Sequence, residues 1–213
     1  MKISTILSGS KILPAVTIEN TDQAVKLAQA YAKGGLNLME ITFRTPDTAE
    51  AIRAIRLEVP NMIIGAGTIL TTGQIEEAVS AGAHFGLAPG FNPKVVDAAQ
   101  QFELPFIPGV MTPSEVESAF EKGCQIQKLF PINHMGGTNF LKTLNGPFGH
   151  TPIRFIPMGG INQHNMLDYL SLKNVIAVGG SWLCDQEKIR TNQFTKISED
   201  VAATMATIIQ KTN

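Results

Sequence analysis

The sequence lacks most features that mark secreted, membrane or nucleic-acid-binding proteins. It has two cysteines, Cys124 and Cys184, which are too few for a disulfide framework. Its formal net charge is -1, so no basic field attracts nucleic acid or an anionic membrane. Lys11 and Pro14 interrupt the apolar N-terminal stretch, and no run approaches the roughly 20 apolar residues that span a bilayer. These absences predict a cytoplasmic protein with a small-molecule partner, no nucleic-acid partner and no membrane partner.

The histidines are poorly spaced for a metal site. His84, His134, His150 and His164 form no HxH or HExxH pattern, and neither cysteine has a neighbour at metal-ligand spacing. We therefore expect no metal ion and no cofactor.

A regular rhythm of strands and helices runs along the chain. The 213 residues suit one domain, expected over residues 1–213. Runs rich in Val, Ile and Phe begin at Ile12, Leu38, Met62, Phe85, Pro105, Ile126, Arg154 and Ile176. Amphipathic stretches such as residues 22–33 and 48–58 separate them and are typical of helices. Eight such units predict an α/β protein with parallel strands, folded as a single (β/α)8 TIM barrel.

An open, doubly wound sheet is the alternative fold. It is disfavoured because no GxGxxG follows the first run, whereas glycines cluster after the third, fourth, seventh and eighth.

Two charged side chains lie in runs that should be apolar. Alternation along the second run puts Glu40, Thr42 and Arg44 on one face, and alternation along the sixth run puts Lys128 on one face with two apolar residues. Side chains from even-numbered barrel strands can share a layer, so Glu40 and Lys128 are expected to converge inside the barrel.

The apolar neighbours of Lys128 suggest a catalytic amine. An apolar setting disfavours an ammonium ion, and a neutral amine attacks ketones. A carboxylate such as Glu40 beside it can move the protons. A buried structural ion pair is the alternative interpretation of the same two residues.

Two glycine pairs suggest a phosphate site. Gly159 and Gly160 follow the seventh run, and Gly179, Gly180 and Ser181 end the eighth. Barrels commonly hold phosphate at these two strand ends with backbone N–H groups and a helix N-terminus. Tight turns are the alternative. Thr68, after the third run, is a weaker candidate for binding a substrate carboxylate or carbonyl.

These residues leave three functions open. The first is an aldolase that uses Lys128 as a Schiff-base nucleophile. The second is a phosphate-binding barrel isomerase or synthase without a covalent lysine. The third is a non-catalytic barrel that binds a sugar phosphate, although such a protein needs no lysine beside a carboxylate.

Several motifs in order resemble one known family. The segments GGLNLMEITFRT, IIGAGTIL, IPGVMTPSE, QKLFP, PMGGI and IAVGGSWL, spread from about Ile12 to Leu183, are similar to those of bacterial 2-keto-3-deoxy-6-phosphogluconate (KDPG) aldolases, which often also cleave 4-hydroxy-2-oxoglutarate (KHG). The resemblance implies a trimeric class I aldolase of barrel fold, which acts on a phosphorylated 2-keto acid and releases pyruvate with glyceraldehyde 3-phosphate or glyoxylate.

The resemblance also implies residue roles. Lys128 would form the Schiff base with Phe130 packed beside it, and Glu40 would accept the proton. Arg44 and Thr68 would hold the pyruvate carboxylate. The same match assigns the phosphate to Gly159, Gly160, Gly179, Gly180 and Ser181.

Three departures from the commonest family pattern affect this expectation. Leu129 replaces a frequent Phe, and Ile132 with Asn133 replaces Ala-Glu. Met158 stands before the glycine pair where Thr is typical, and a thioether is at best a weak acceptor. The preference between substrate epimers at C4 therefore does not follow from the resemblance.

Overall fold

The computed structural model describes residues 3–212, and Met1, Lys2 and Asn213 of the expected domain lie outside the described residues. Strands and helices alternate along the chain. The strands are β1 (Ile12–Val16), β2 (Leu38–Thr42), β3 (Ile63–Gly67), β4 (Phe85–Leu87), β5 (Phe106–Ile107), β6 (Gly109–Val110), β7 (Ile126–Leu129), β8 (Arg154–Pro157) and β9 (Val178–Gly180). The helices are α1 (Ile3–Ser10), α2 (Thr21–Lys33), α3 (Thr48–Glu58), α4 (Thr72–Ser80), α5 (Pro93–Gln101), α6 (Pro113–Glu121), α7 (Gly137–Phe148), α8 (Met166–Leu170), α9 (Gln186–Arg190) and α10 (Phe194–Thr212), with a 3₁₀ turn at Ile132–Met135.

Each of the eight predicted runs contains a strand, so the predicted rhythm is confirmed. The fifth run differs in one respect, because it forms two short strands, β5 and β6, on either side of Pro108. Proline has no N–H to donate to a neighbouring strand, which explains the interruption.

The strands are parallel and form two sheets. One has the order β5-β4-β3-β2-β1-β9 and the other β6-β7-β8. The expected barrel is therefore observed as two curved parallel sheets rather than one continuous ladder. They approach each other at two places: Met158 forms an isolated parallel bridge with Gly179, and the Gly109 N–H donates to the Gly90 carbonyl over 3.3 Å.

Helix starts are specified locally by the sequence. Thr71 and Gln74 form a capping box at α4, and Thr112 and Glu115 form another at α6. In each box, two N–H groups that have no helical partner are satisfied by side chains. Asn20 caps α2 in a similar way. These caps fix where the chain turns from strand end to helix.

Two strands carry buried polar side chains, Glu40 and Thr42 in β2 and Gln127 and Lys128 in β7. All five residues of β2 are buried, including Glu40 and Thr42.

Within residues 3–212, no helix combines the length and apolar character required to cross a bilayer.

Candidate active site

A cavity of about 360 Å³ opens where the strands end. Its wall includes side chains of both sheets and most of the residues predicted from the sequence. The predicted residues in the wall are Glu40, Arg44, Thr68, Lys128, Phe130, Gly159, Gly160, Gly180 and Ser181. The structure thus brings together residues that are up to 141 positions apart in the chain, from Glu40 to Ser181.

Gly179 is the predicted residue that does not line this cavity. It is buried in β9, where a Cβ atom would overlap the terminal methyl of Met158 and come within 3.0 Å of the Leu13 carbonyl oxygen. The absence of a side chain at Gly179 therefore makes room for Met158 rather than exposing backbone to a ligand.

Lys128 and Glu40 meet at the buried end of the cavity. The Lys128 Nζ lies 3.7 Å from Glu40 Oε1, and the two side chains are 7% and 1% exposed. The two residues come from different sheets, since β2 belongs to the six-stranded sheet and β7 to the three-stranded one, so they meet across the interior. The predicted convergence of these two residues is therefore present in the structure.

The carboxylate of Glu40 is poorly satisfied for a structural ion pair. Within the described residues, neither Oε1 nor Oε2 accepts a hydrogen bond, although both atoms are buried. The attraction between two buried charges offsets the free energy of removing them from water only when their geometry is good and further hydrogen bonds are made. An orphaned buried oxygen therefore calls for another explanation, of which a catalytic role is one. The unsatisfied oxygens of Glu40 are available to a substrate hydroxyl.

Gly67 makes the position of Glu40 possible. A Cβ atom on Gly67 would overlap Oε1, Cδ and Cγ of Glu40. Glycine inside a strand often marks a close approach of this kind. Sequence reasoning drew attention to Thr68 and not to its neighbour Gly67, although a glycine inside a strand is the signal that could have indicated this close approach.

Thr68 has an unusual backbone conformation. Its φ angle is 58°, in the left-handed region that a β-branched residue rarely adopts. Such strained residues cluster at functional sites, where the surrounding structure holds them in place. Arg44 lies two residues beyond β2 with an exposed side chain that also lines the cavity. Both residues are placed where a ligand could be held near the amine.

An aromatic ring lies beside the amine. The Lys128 Nζ is 5.5 Å from the centroid of the Phe130 ring, which is 36% exposed. This distance is within the range of a cation–π contact, and the ring covers part of the space around the amine.

Gly159, Gly160 and Gly180 border another part of the cavity, and no helix of the described residues begins beside them. Gly159 and Gly160 have φ angles of 91° and 83°, which glycine adopts without strain. The sequence predicted a helix N-terminus next to them, but α8 begins at Met166 and α9 at Gln186, several residues beyond Gly160 and Ser181. Loops, rather than helix ends, therefore border the cavity on this side.

Tyr31 holds the loop that carries Ser181. Its buried hydroxyl donates to the Leu183 carbonyl over 3.1 Å and lies 2.8 Å from the Cys184 Sγ. Burial raises the pKa of the Cys184 thiol to about 12. The thiol is thus a neutral wall residue of the cavity.

No cluster of three or more His, Cys, Asp or Glu side chains suited to a metal ion occurs among residues 3–212. His134 lies in the 3₁₀ turn with an exposed side chain.

Comparison with known proteins agrees with this geometry. The family model described as KDPG and KHG aldolase matches residues 3–199. A 2-dehydro-3-deoxy-phosphogluconate aldolase of Treponema pallidum is 42% identical over 192 residues, covering 90% of each chain. The KHG/KDPG aldolase of Escherichia coli is 37% identical over 195 residues, which is 92% of this chain and 91% of that protein.

A solved structure is similar over nearly its whole length. The KDPG aldolase of Legionella pneumophila, captured with pyruvate as a covalent carbinolamine, superposes with a TM-score of 0.91 at 36% identity, covering 96% of this chain and 98% of that one. Sequence, fold and the buried pair of amine and carboxylate thus point the same way, and this chain belongs to the KDPG and KHG aldolase family.

Proposed function

We propose that this protein is a class I aldolase that cleaves 2-keto-3-deoxy-6-phosphogluconate to pyruvate and glyceraldehyde 3-phosphate. The observation that carries the proposal is the buried Lys128 amine, 3.7 Å from a Glu40 carboxylate whose oxygens accept no hydrogen bond within the described residues. Its relatives named KDPG aldolase, including one captured with covalent pyruvate, support it.

The proposed reaction begins at Lys128. Its neutral amine attacks the C2 carbonyl to form a carbinolamine, which loses water to give an iminium ion. Glu40 then takes the proton of the C4 hydroxyl as the C3–C4 bond breaks. The bonding electrons move toward the iminium nitrogen, so the aldehyde leaves and an enamine remains. Glu40 returns the proton to C3, and water hydrolyses the iminium ion to release pyruvate.

The remaining site residues bind the two ends of the substrate in this proposal. Arg44 and Thr68 hold the pyruvate carboxylate, and Phe130 packs beside the imine. Backbone groups around Gly159, Gly160 and Gly180 bind the phosphate with Ser181. Gly179 is left out of this set because it lies outside the cavity wall.

KHG is a second proposed substrate. The E. coli relative carries both activities in its name, and KHG shares with KDPG the 2-keto acid end that would bind near Lys128.

Four further proposals concern the whole molecule. The chain forms one domain, and its two sheets close into one (β/α)8 barrel, for which the contacts Met158–Gly179 and Gly109–Gly90 give support. The family resemblance supports a homotrimer, which sedimentation analysis tests. Two free, buried cysteines are consistent with the reducing cytoplasm.

Borohydride trapping tests the function. Protein incubated with pyruvate and borohydride should gain the mass of one reduced adduct, and peptide mapping should place it on Lys128. Lys128→Arg should show neither adduct nor turnover, because a guanidinium stays protonated and cannot attack a ketone. Lys122→Arg is the matched control, since Lys122 forms a surface ion pair with Asp97. An adduct on another lysine, or none, contradicts the proposal and favours an isomerase or a binding protein.

A further inference from the structure

Thr17 lies at a position in the cavity to which the family pattern gave no role. It is the first residue after β1, and alternation along that strand turns Ala15 and Thr17 toward the cavity, where both are part of the wall. Strand β1 pairs with β2 on one side and β9 on the other. Thr17 therefore stands between the strand that carries Glu40 and the strand that leads to Ser181.

The hydrogen bonds around Thr17 leave its hydroxyl oxygen as an acceptor. The Thr17 Oγ1 lies 3.0 Å from the Thr42 Oγ1, and the Thr42 hydroxyl donates to the Val16 carbonyl over 3.1 Å. A hydroxyl has one proton. With the proton of Thr42 directed to Val16, the proton of Thr17 is directed to Thr42, and the lone pairs of Thr17 remain for a donor in the cavity.

A contact at the cavity mouth also fixes this threonine. The Gln186 Nε2 donates to the main-chain carbonyl of Thr17 over 3.3 Å, and Gln186 is itself part of the cavity wall. The side chain of Thr17 is thus positioned through Thr42 and its backbone through Gln186. A hydroxyl held in one orientation discriminates between ligands better than a hydroxyl that rotates freely.

The position of Thr17 indicates which group of the substrate lies beside it. This step rests on the proposed function. With C2 on Lys128 and the phosphate near Ser181, the middle of the substrate lies between β2 and β9. That middle carries the hydroxyls of C4 and C5. The C4 hydroxyl gives its proton to Glu40, which leaves the C5 hydroxyl as the donor without a partner.

We propose that Thr17 determines specificity by accepting a hydrogen bond from the C5 hydroxyl of the substrate. In the reverse reaction the same group is the C2 hydroxyl of glyceraldehyde 3-phosphate. Thr17 therefore favours an aldehyde that is hydroxylated next to its carbonyl carbon over the corresponding deoxy aldehyde.

Condensation with two aldehydes tests the proposal. We would measure kcat/KM for pyruvate with D-glyceraldehyde 3-phosphate and with 3-phosphopropanal, which lacks the hydroxyl. In Thr17→Val and Thr17→Ala, the ratio of the two values should fall about 2- to 13-fold, the effect of one neutral hydrogen bond. Thr17→Ser, which keeps the hydroxyl, should restore the ratio toward that of the wild type.

The outcomes separate this inference from the proposed function. Loss of activity by the same factor on both aldehydes would mean that Thr17 only supports Thr42, and an unchanged ratio in whichever of the two hydroxyl-free variants folds would also overturn the inference. Failure of the wild-type protein to condense pyruvate with glyceraldehyde 3-phosphate at all would instead overturn the proposed function.

Discussion

A single methyl group added at Gly67 should displace the carboxylate of Glu40, the proposed base, while leaving Glu40 itself unsubstituted. In the structure, the Glu40 carboxylate occupies the space that a Cβ of Gly67 would need. Backbone cannot move far within a paired parallel strand, so in Gly67→Ala the Glu40 side chain must turn away from its place 3.7 Å from the Lys128 Nζ. Overpacking of this kind destabilises a protein by about 1 to 3 kcal/mol, which a folded domain can tolerate.

The expected loss is kinetic. General acid–base groups contribute about 10²- to 10⁴-fold to rate, so kcat of Gly67→Ala should fall within that range and resemble Glu40→Gln. Borohydride trapping of pyruvate on Lys128 should still occur, although more slowly, because the amine remains. Gly73→Ala is the matched control, since a Cβ there meets no atom closer than 4.0 Å.

A double mutant separates displacement of Glu40 from general damage. If the methyl group acts through Glu40, Gly67→Ala combined with Glu40→Gln should lose little more activity than Glu40→Gln alone. Multiplicative losses in the double mutant, or wild-type kcat in Gly67→Ala with a melting temperature near that of the wild type, would refute the reasoning.

Three further predictions concern the wall of the cavity. Ser181→Asp should weaken cleavage of KDPG much more than cleavage of KHG, because a carboxylate repels the phosphate dianion, and equal losses in kcat/KM would place the phosphate elsewhere. Met158→Thr should widen the ratio of kcat/KM between the C4 epimers by about 2- to 13-fold, through a hydrogen bond that a thioether cannot supply, and an unchanged ratio would make Met158 a packing residue. Burial raises the pKa of Cys124 to about 11 and that of Cys184 to about 12. Iodoacetamide at pH 8 should therefore label these thiols only after unfolding, which intact mass measures. Rapid labelling of the native protein would contradict their burial.

Local sequence patterns were sufficient to predict the strands and helices. The eight apolar runs, the helix at 48–58 and the alternation that turns Glu40 inward all follow from periodicities of 2 and 3.6, which depend on nearby residues alone. The division of the fifth run at Pro108 was equally available, since it follows from the missing N–H of one residue. The apolar pattern of the run, taken without Pro108, predicts one continuous strand instead.

The helix ends near the glycine pairs could not be placed in the same way. The loop between Gly160 and α8 is set by contacts such as the bond from the Asn165 side-chain amide to the Gly160 carbonyl, over 3.0 Å. Hydrogen bonds from asparagine side chains to nearby backbone groups compete with helix formation, and the sequence does not reveal which backbone group accepts them.

The sequence by itself determined which residues are candidates for the proposed chemistry: an amine in an apolar strand, a carboxylate on an inward face, and glycines at two strand ends. These depend on residue type and on local alternation. Tertiary structure alone decided how they meet, because packing across the interior, not order along the chain, sets which side chains touch. It put Glu40 in the space left by Gly67, Met158 in the space left by Gly179, and the Thr17 hydroxyl between the proposed base and the phosphate loop. Each of these contacts joins residues far apart in sequence, so no local pattern specifies them.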